Sequence, residues 1–293
     1  MPADVDAATT PAGPPRRVAI ITGAARGIGQ SIAARLVTDG LSVIVNDIAS
    51  KSSELEAVVK QLNEQAISAS SGDASNIVAH SVIGDVSKEE DVENMINQAV
   101  QVFGRLDVMV ANAGIAGPNS TIMDAKVEEW EALLSVNLRG VLLCYKHAAR
   151  QMVKQNIQHG RIIGMFSEPT FFLLTLTLRN PKQGAYCASK SAVRSITQTL
   201  AMELSEYNIT VNAYAPGVIE TDLSTYTSLS LSLTIYPQSR VYHSSPPIYG
   251  VPNAKVAPPD VVASIVSYLV KPEAYFITGQ IVSVDGGLIG PMQ

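Results

Sequence analysis

RVAIITGAARGIG, residues 17–29, runs an apolar, β-branched segment into three glycines and then a helical pattern. A strand must end and a helix begin within a few residues. Gly23 permits the tight turn between them. Gly27 and Gly29 lack the side chains that would hold a pyrophosphate off the backbone, or the helix off the sheet. The helix start then offers free N–H groups and the positive end of its dipole. Strand, turn and helix in this order make Gly23, Arg26, Gly27, Ile28 and Gly29 a candidate dinucleotide site.

Working outward, the same alternation repeats. LSVIVND, AHSVIGDV, LDVMVANAG, GRIIGMF, ITVNAYAPG and QIVSVDGG are strand-like and nearly apolar throughout. Strands buried on both faces of a parallel sheet read this way. Helical patterns lie between them, among them one long helix over 127–154 and another over 185–206. Strict alternation predicts an α/β fold: a single-domain, Rossmann-type, doubly wound parallel sheet over residues 17–290, flanked by helices on both faces. Residues 1–16, acidic and rich in Pro and Ala, read as a disordered tail rather than a signal peptide. Residues 66–78 read as a Ser-rich loop. Residues 168–181 and 222–259 are atypical, the second a Ser-, Thr- and Pro-rich stretch where a substrate lid would stand.

The chain has 293 residues, 21 Lys and Arg against 26 Asp and Glu, and a net charge of −5. No basic block exists to displace counterions, which argues against nucleic-acid binding. No apolar run reaches membrane-span length. Cys144 and Cys187 cannot make a disulfide framework and suit a reducing compartment, so a cytoplasmic location is expected. The histidines at 80, 147, 159 and 243 have no metal-ligand spacing, and no metal is expected.

The second strand ends at Asp47, about 20 residues past the glycines, where a carboxylate can meet the ribose hydroxyls of NAD. It would repel the extra phosphate of NADP. Arg26 could meet that phosphate, but no second basic residue follows Asp47, so NAD is expected over NADP. Asp85 and Val86 follow the third strand, where an adenine amino group could be met; the alternative is a helix cap nearby, most readily on Ser87. Asn112, Ala113 and Gly114 end the fourth strand. Gly114 allows a close cofactor approach, while Asn112 is either a site residue or a tie between strands. Tyr186 and Lys190, four apart on one helix, share a face. An ammonium there would favour the phenolate and suit Tyr186 to proton transfer.

With TGAARGIG, NAG, Tyr186-Cys187-Ala188-Ser189-Lys190 and Pro216-Gly217 in order, the chain resembles the short-chain dehydrogenases/reductases. Within them it is similar to NAD-dependent diacetyl/acetoin reductases (butanediol dehydrogenases). The resemblance implies hydride transfer between nicotinamide and a small alcohol or ketone. It assigns Asn137, Ser167, Tyr186 and Lys190 to catalysis, with Tyr186 and Lys190 also touching cofactor. It assigns Pro216, Gly217, Ile219 and Thr221 to the nicotinamide, and implies a homotetramer or dimer. Alternatives are a 3-oxoacyl-thioester or polyol reductase, or a catalytically weak cofactor-binding or redox-sensing protein. Two departures touch the substrate side: Ser167 and Tyr186 lie 19 residues apart (186 − 167), and Phe166 stands where the family commonly has a second Ser.

Overall fold

The structure is a computed structural model and describes residues 16–69, 77–166, 182–221 and 256–287. The expected tail up to residue 15, the atypical loop 168–181 and residues 222–255 lie outside the described residues, as does Ser167.

Among the described residues, seven strands form one sheet: β1 (Val18–Thr22), β2 (Ser42–Asp47), β3 (Ala79–Ile83), β4 (Val108–Ala111), β5 (Arg161–Met165), β6 (Thr210–Pro216) and β7 (Ile281–Val284). Their order is β3-β2-β1-β4-β5-β6-β7, and every pairing is parallel. The strand-like runs of the sequence all appear in it. The helices are α1 (Gly27–Thr38), α2 (Ser52–Ala69), α3 (Glu89–Phe103), α4 (Val127–Leu134), α5 (Val141–Lys154), α6 (Gly184–Glu203) and α7 (Asp260–Val270). None of the described helices is long and apolar enough to cross a membrane.

Strand side chains alternate between faces, so each strand feeds two cores. Ala19 and Ile21 of β1 join Ile32 and Leu36 of α1, Leu55 of α2 and Val266 of α7. Val18 and Ile20 join Met95 of α3, Ala148 of α5 and Val193 of α6 on the other face. The chain leaves β1 toward β2 on one side and reaches β4 on the other. That reversal opens a crevice at the carboxyl ends of β1 and β4, the ligand position of open α/β sheets.

The opposite end of the sheet is closed by buried charge. Asp107 accepts the Val18 N–H at 2.8 Å and two bonds from Arg105, at 2.8 and 2.6 Å. Arg161 and Arg17 donate to the Lys271 and Val270 carbonyls, placing cations at the negative end of α7. Burial, with Arg17 nearby, lowers the Arg161 pKa to about 10.

Three sequence expectations change. The 127–154 segment is helical from end to end, as expected, but a π-turn over Ser135–Gly140 joins α4 to α5 in place of regular α-helix. Helix α2 extends to Ala69, taking up part of the expected loop. Ala257, inside the irregular 222–259 stretch, pairs in parallel with Ile219.

Candidate active site

The glycine turn follows the sequence reading. Gly23 has φ +64°, and a Cβ there would lie 2.9 Å from the Ala113 Cα. A Cβ on Gly29 would overlap the Gly23 carbonyl oxygen and sit 2.7 Å from Asn112 Nδ2. Helix α1 can therefore dock its first turn on β1 only with glycine at 29. The first turn of α1 contains no acidic residue, and Arg26 at its cap position makes no side-chain cap bond. Its leading N–H groups remain available to an anion. Gly29→Ala is expected to lower stability by about 1–3 kcal/mol from overpacking and to abolish nucleotide binding. Thermal unfolding and NADH fluorescence titration read the two effects separately. Unchanged NADH affinity would contradict it.

Asp47 sits at the rim of this turn. Its Oδ2 accepts the Ala25 N–H at 3.1 Å and its Oδ1 the Ile48 N–H at 2.9 Å. The carboxylate is thus oriented at the end of β2. Across the turn, a Cβ on Gly27 would meet Thr221 Cγ2 at 3.3 Å, so the segment after β6 faces the glycine loop. Pro216 closes β6, and Gly217 packs on Asp285, whose Cα would be 2.7 Å from a Cβ there. Glu220 N–H and Val218 C=O bond to Ala257. In a parallel pairing of this kind, the Ile219 N–H and C=O point the other way.

Asn112 serves the strand-tie reading. Its Nδ2 donates to the Thr22 and Gly23 carbonyls at 2.8 and 3.1 Å, and its Oδ1 accepts the Tyr214 hydroxyl at 2.7 Å. Thr22 Oγ1 accepts the N–H groups of Asn112 and Ala113, both at 3.0 Å. The ends of β1, β4 and β6 are locked together by these bonds. Asp85 is no helix cap and neither is Ser87; Lys88 occupies that position. Asp85 Oδ1 accepts the Ser87 N–H, and its own N–H donates to Asp91. Val86 is buried against the π-turn, 2.8 Å from where a Gly140 Cβ would be.

Around Gly114 the catalytic candidates converge. A Cβ there would lie 3.2 Å from Met165 Cε, 3.3 Å from Asn137 Oδ1 and 3.7 Å from Lys190 Nζ. The π-turn turns Asn137 inward, and its side chain binds the Ile115 N–H at 2.8 Å and C=O at 2.9 Å. Lys190 is 1% exposed, and its Nζ donates to the Met165 carbonyl at 3.1 Å with the Met165 sulfur at 3.3 Å. Burial lowers its pKa to about 7. The same nitrogen lies 5.5 Å from the centre of the half-buried Tyr186 ring. Asn137, Tyr186 and Lys190 therefore meet at the crevice beside the glycine turn.

Residues 17–230 match the family pattern described as short chain dehydrogenase. The chain belongs to the short-chain dehydrogenase family. It is 41% identical over 270 residues to the short-chain dehydrogenase/reductase eriH of Hericium erinaceus, covering 92% of this chain and 96% of that one. A 3-oxoacyl-[acyl-carrier-protein] reductase of Synechocystis is 35% identical, with 93% and 97% covered. Among solved structures, the 3-ketoacyl-(acyl-carrier-protein) reductase from Brucella melitensis, complexed with NADH, superposes with a TM-score of 0.74. It is 28% identical, over 94% of this chain and 98% of that one. The chain is a short-chain dehydrogenase/reductase and, as such, a nicotinamide-dependent oxidoreductase.

Sequence reasoning missed Met165, Thr22 and Tyr214. Thr22 lies inside the glycine motif but has no spacing signal for its two acceptor bonds. Met165 and Tyr214 reach the site only through the β5 and β6 ladders. The histidine spacing also concealed a cluster: His147 approaches Glu89 at 2.9 Å and Glu93 at 3.6 Å, from α5 to α3. Lys146 already pairs with Glu89 at 2.5 Å, so the group reads as an ionic tie between helices.

Proposed function

We propose that this short-chain dehydrogenase reduces a ketone to a secondary alcohol, with Tyr186 giving the proton. The observation that carries it is Lys190 Nζ, buried beside Gly114 and 5.5 Å from the Tyr186 ring. The glycines let the first turn of α1 pack bare backbone against the ends of β1 and β4, with the Asp47 carboxylate at the rim, and a turn of this kind fits a dinucleotide. When bound, the nicotinamide supplies or accepts the hydride. The Tyr186 hydroxyl hands its proton to the ketone oxygen, and the Lys190 ammonium stabilises the phenolate left behind. Ser167 donates a hydrogen bond to the same oxygen as charge develops. Asn137 spends its side chain on Ile115, so a water link from Lys190 would run through its main chain. Ile219 and Thr221 hold the carboxamide, with Pro216 and Gly217 fixing that strand end. Asp85 and Val86 line the adenine side.

For the substrate, the 3-oxoacyl reading has more support than diacetyl or acetoin. Relatives sharing a third of the sequence are named for 3-oxoacyl reduction. The test follows NADH or NADPH absorbance with a 3-oxoacyl thioester, diacetyl and acetoin in parallel. Turnover of the thioester alone supports the reading. Cofactor binding with no turnover of any carbonyl makes this a cofactor-binding protein instead.

NAD is the proposed cofactor because the Asp47 carboxylate stands fixed beside the turn. Asp47→Ser is expected to raise the NADPH-to-NADH ratio of kcat/KM by roughly 10–100-fold, since it removes a charge facing a phosphate dianion. Steady-state kinetics with both cofactors measures it. A wild type indifferent to the phosphate would refute the Asp47 argument.

A homo-oligomer built through α5 and α6 is also proposed. A cavity of about 750 Å³ opens between them, lined by Leu142, Ala149, Val153, Ile196, Leu200 and Tyr207. Leu142 is 47% exposed there, an apolar surface of the kind subunit contacts cover.

A further inference from the structure

The loop after β4 carries apolar side chains into solvent beside the candidate active site. Ile122 is 75% exposed and Met123 92%, and Val127 follows at the start of α4. This edge is held in place: the Ser120 N–H donates to the Lys182 carbonyl at 3.1 Å, and Ser120 pairs with Gln183. Ile122 and Trp130 lean on the first turn of α6. A Cβ on Gly184 would meet Trp130 Cζ2 at 3.1 Å and Ile122 Cγ1 at 3.3 Å. Tyr186 stands two residues further along the same helix.

The charge of the edge is predominantly negative. Residues 121–131 include Asp124, Glu128, Glu129 and Glu131 against one cation, Lys126. That lysine lies 3.3 Å from Glu129 and is thereby offset. Lys182 adds a single further cation on the adjoining turn. An acyl group delivered on a phosphopantetheine arm or as a coenzyme A thioester brings phosphate charge to the mouth. A carboxylate-rich flank repels it, while apolar side chains offer it nothing.

We propose that Ile122, Met123 and Trp130 form the wall that receives the apolar body of a free, uncharged ketone, with the acidic flank disfavouring phosphate-bearing carriers. This rests on the ketone-reductase reading and, within the 3-oxoacyl class, selects compounds whose 3-oxoacyl group is not borne on a phosphate-bearing carrier. The wall packs on Gly184 in the first turn of α6, two residues before Tyr186, so the part of a substrate that extends from the Tyr186 hydroxyl toward this edge meets it. Longer apolar bodies then gain contact that short ones cannot.

The test compares two carriers of one carbonyl. 3-Oxooctanoyl N-acetylcysteamine is an uncharged thioester, and 3-oxooctanoyl-coenzyme A bears the same acyl group on a longer arm ending in phosphates and adenosine, so the salt dependence separates the phosphate charge from the added bulk. The uncharged thioester is expected to have a kcat/KM at least about tenfold higher, and added salt to narrow the gap by screening. Shortening the acyl chain from eight carbons to four should cost the neutral substrate about tenfold or more, as lost methylene contacts do. In Ile122→Ser and in Met123→Ser that chain-length preference should shrink, mainly through KM. Met123 is almost fully exposed, so its variant tests the wall without disturbing the fold. Glu128→Lys/Glu131→Lys should raise the rate on the coenzyme A thioester selectively. The proposal is overturned if the coenzyme A thioester is the better substrate, or if neither serine variant alters chain-length preference. If the wild type reduces no ketone while still binding NADH, the reductase reading falls and takes the wall with it.

Discussion

Tyr186→Phe is expected to lower kcat/KM for ketone reduction by about 10²–10⁴-fold, the range of a positioned general acid, with NADH affinity nearly unchanged. The substitution removes one hydroxyl and keeps the ring, so α6 and the apolar contacts around it should persist. Other core tyrosines cannot take over. Tyr145 shares its hydroxyl with Thr197 at 3.0 Å, and Tyr214 gives its hydroxyl to Asn112 at 2.7 Å. Both are fully buried, and burial pushes both pKa values up, which holds those protons in place. Tyr186 is half-buried, with Lys190 Nζ 5.5 Å from its ring centre. Stopped-flow hydride transfer with saturating NADH would locate the loss in the chemical step. A variant keeping more than about a tenth of wild-type kcat/KM would remove Tyr186 from the role of proton donor.

The sheet was legible because of where it lies. A strand covered on both faces must be apolar at consecutive positions, and the seven such runs, VAIIT and SVIVND among them, separate cleanly from the amphipathic helices. The glycine turn was legible for a steric reason, since only Gly29 tolerates the Gly23 carbonyl against its Cα. The π-turn at Ser135–Gly140 was not legible, because one extra residue in a turn hardly changes a hydrophobic periodicity of 3.6. Its consequence, Asn137 bound to Ile115, depends on a loop 22 residues away in sequence. Asn112 was legible as a choice between two roles, and the bonds to Thr22, Gly23 and Tyr214 place it between strands. The Tyr186–Lys190 pair was legible from spacing, but the dryness around Lys190 was not. That burial comes from Met165 and Gly114, which only strand pairing brings near α6.

Lys190→Met should inactivate the enzyme and stabilise it, with a pH dependence whose sign follows from burial. The Lys190 pKa is about 7 against an ordinary 10.5, lowered by desolvation. Below about pH 7 the lysine is protonated both folded and unfolded, and the folded protein bears the full cost of a buried cation. Between about pH 7 and 10.5 the unfolded chain binds the extra proton, so this group's contribution to stability rises with pH. Methionine has a similar length and no charge to desolvate, so it removes the cost. Its advantage should be largest near pH 6, of order a few kcal/mol, and should shrink as pH climbs through 7 to 9. What opposes this is the bond from Lys190 Nζ to the Met165 carbonyl, which methionine cannot make. A net hydrogen bond from a charged donor contributes about 1.5–3 kcal/mol, less than the desolvation that a shift of this size represents. Catalysis depends on the opposite balance. The ammonium that destabilises the fold is the group that stabilises the Tyr186 phenolate, so activity should fall by about 10²-fold or more. In the wild type, reduction should decline above about pH 7 as that ammonium is lost. Thermal melts at pH 6 and pH 9, alongside a pH–rate profile, measure both sides. A variant less stable than the wild type at pH 6 would mean that Lys190 holds β5 to α6 more strongly than its burial opposes folding.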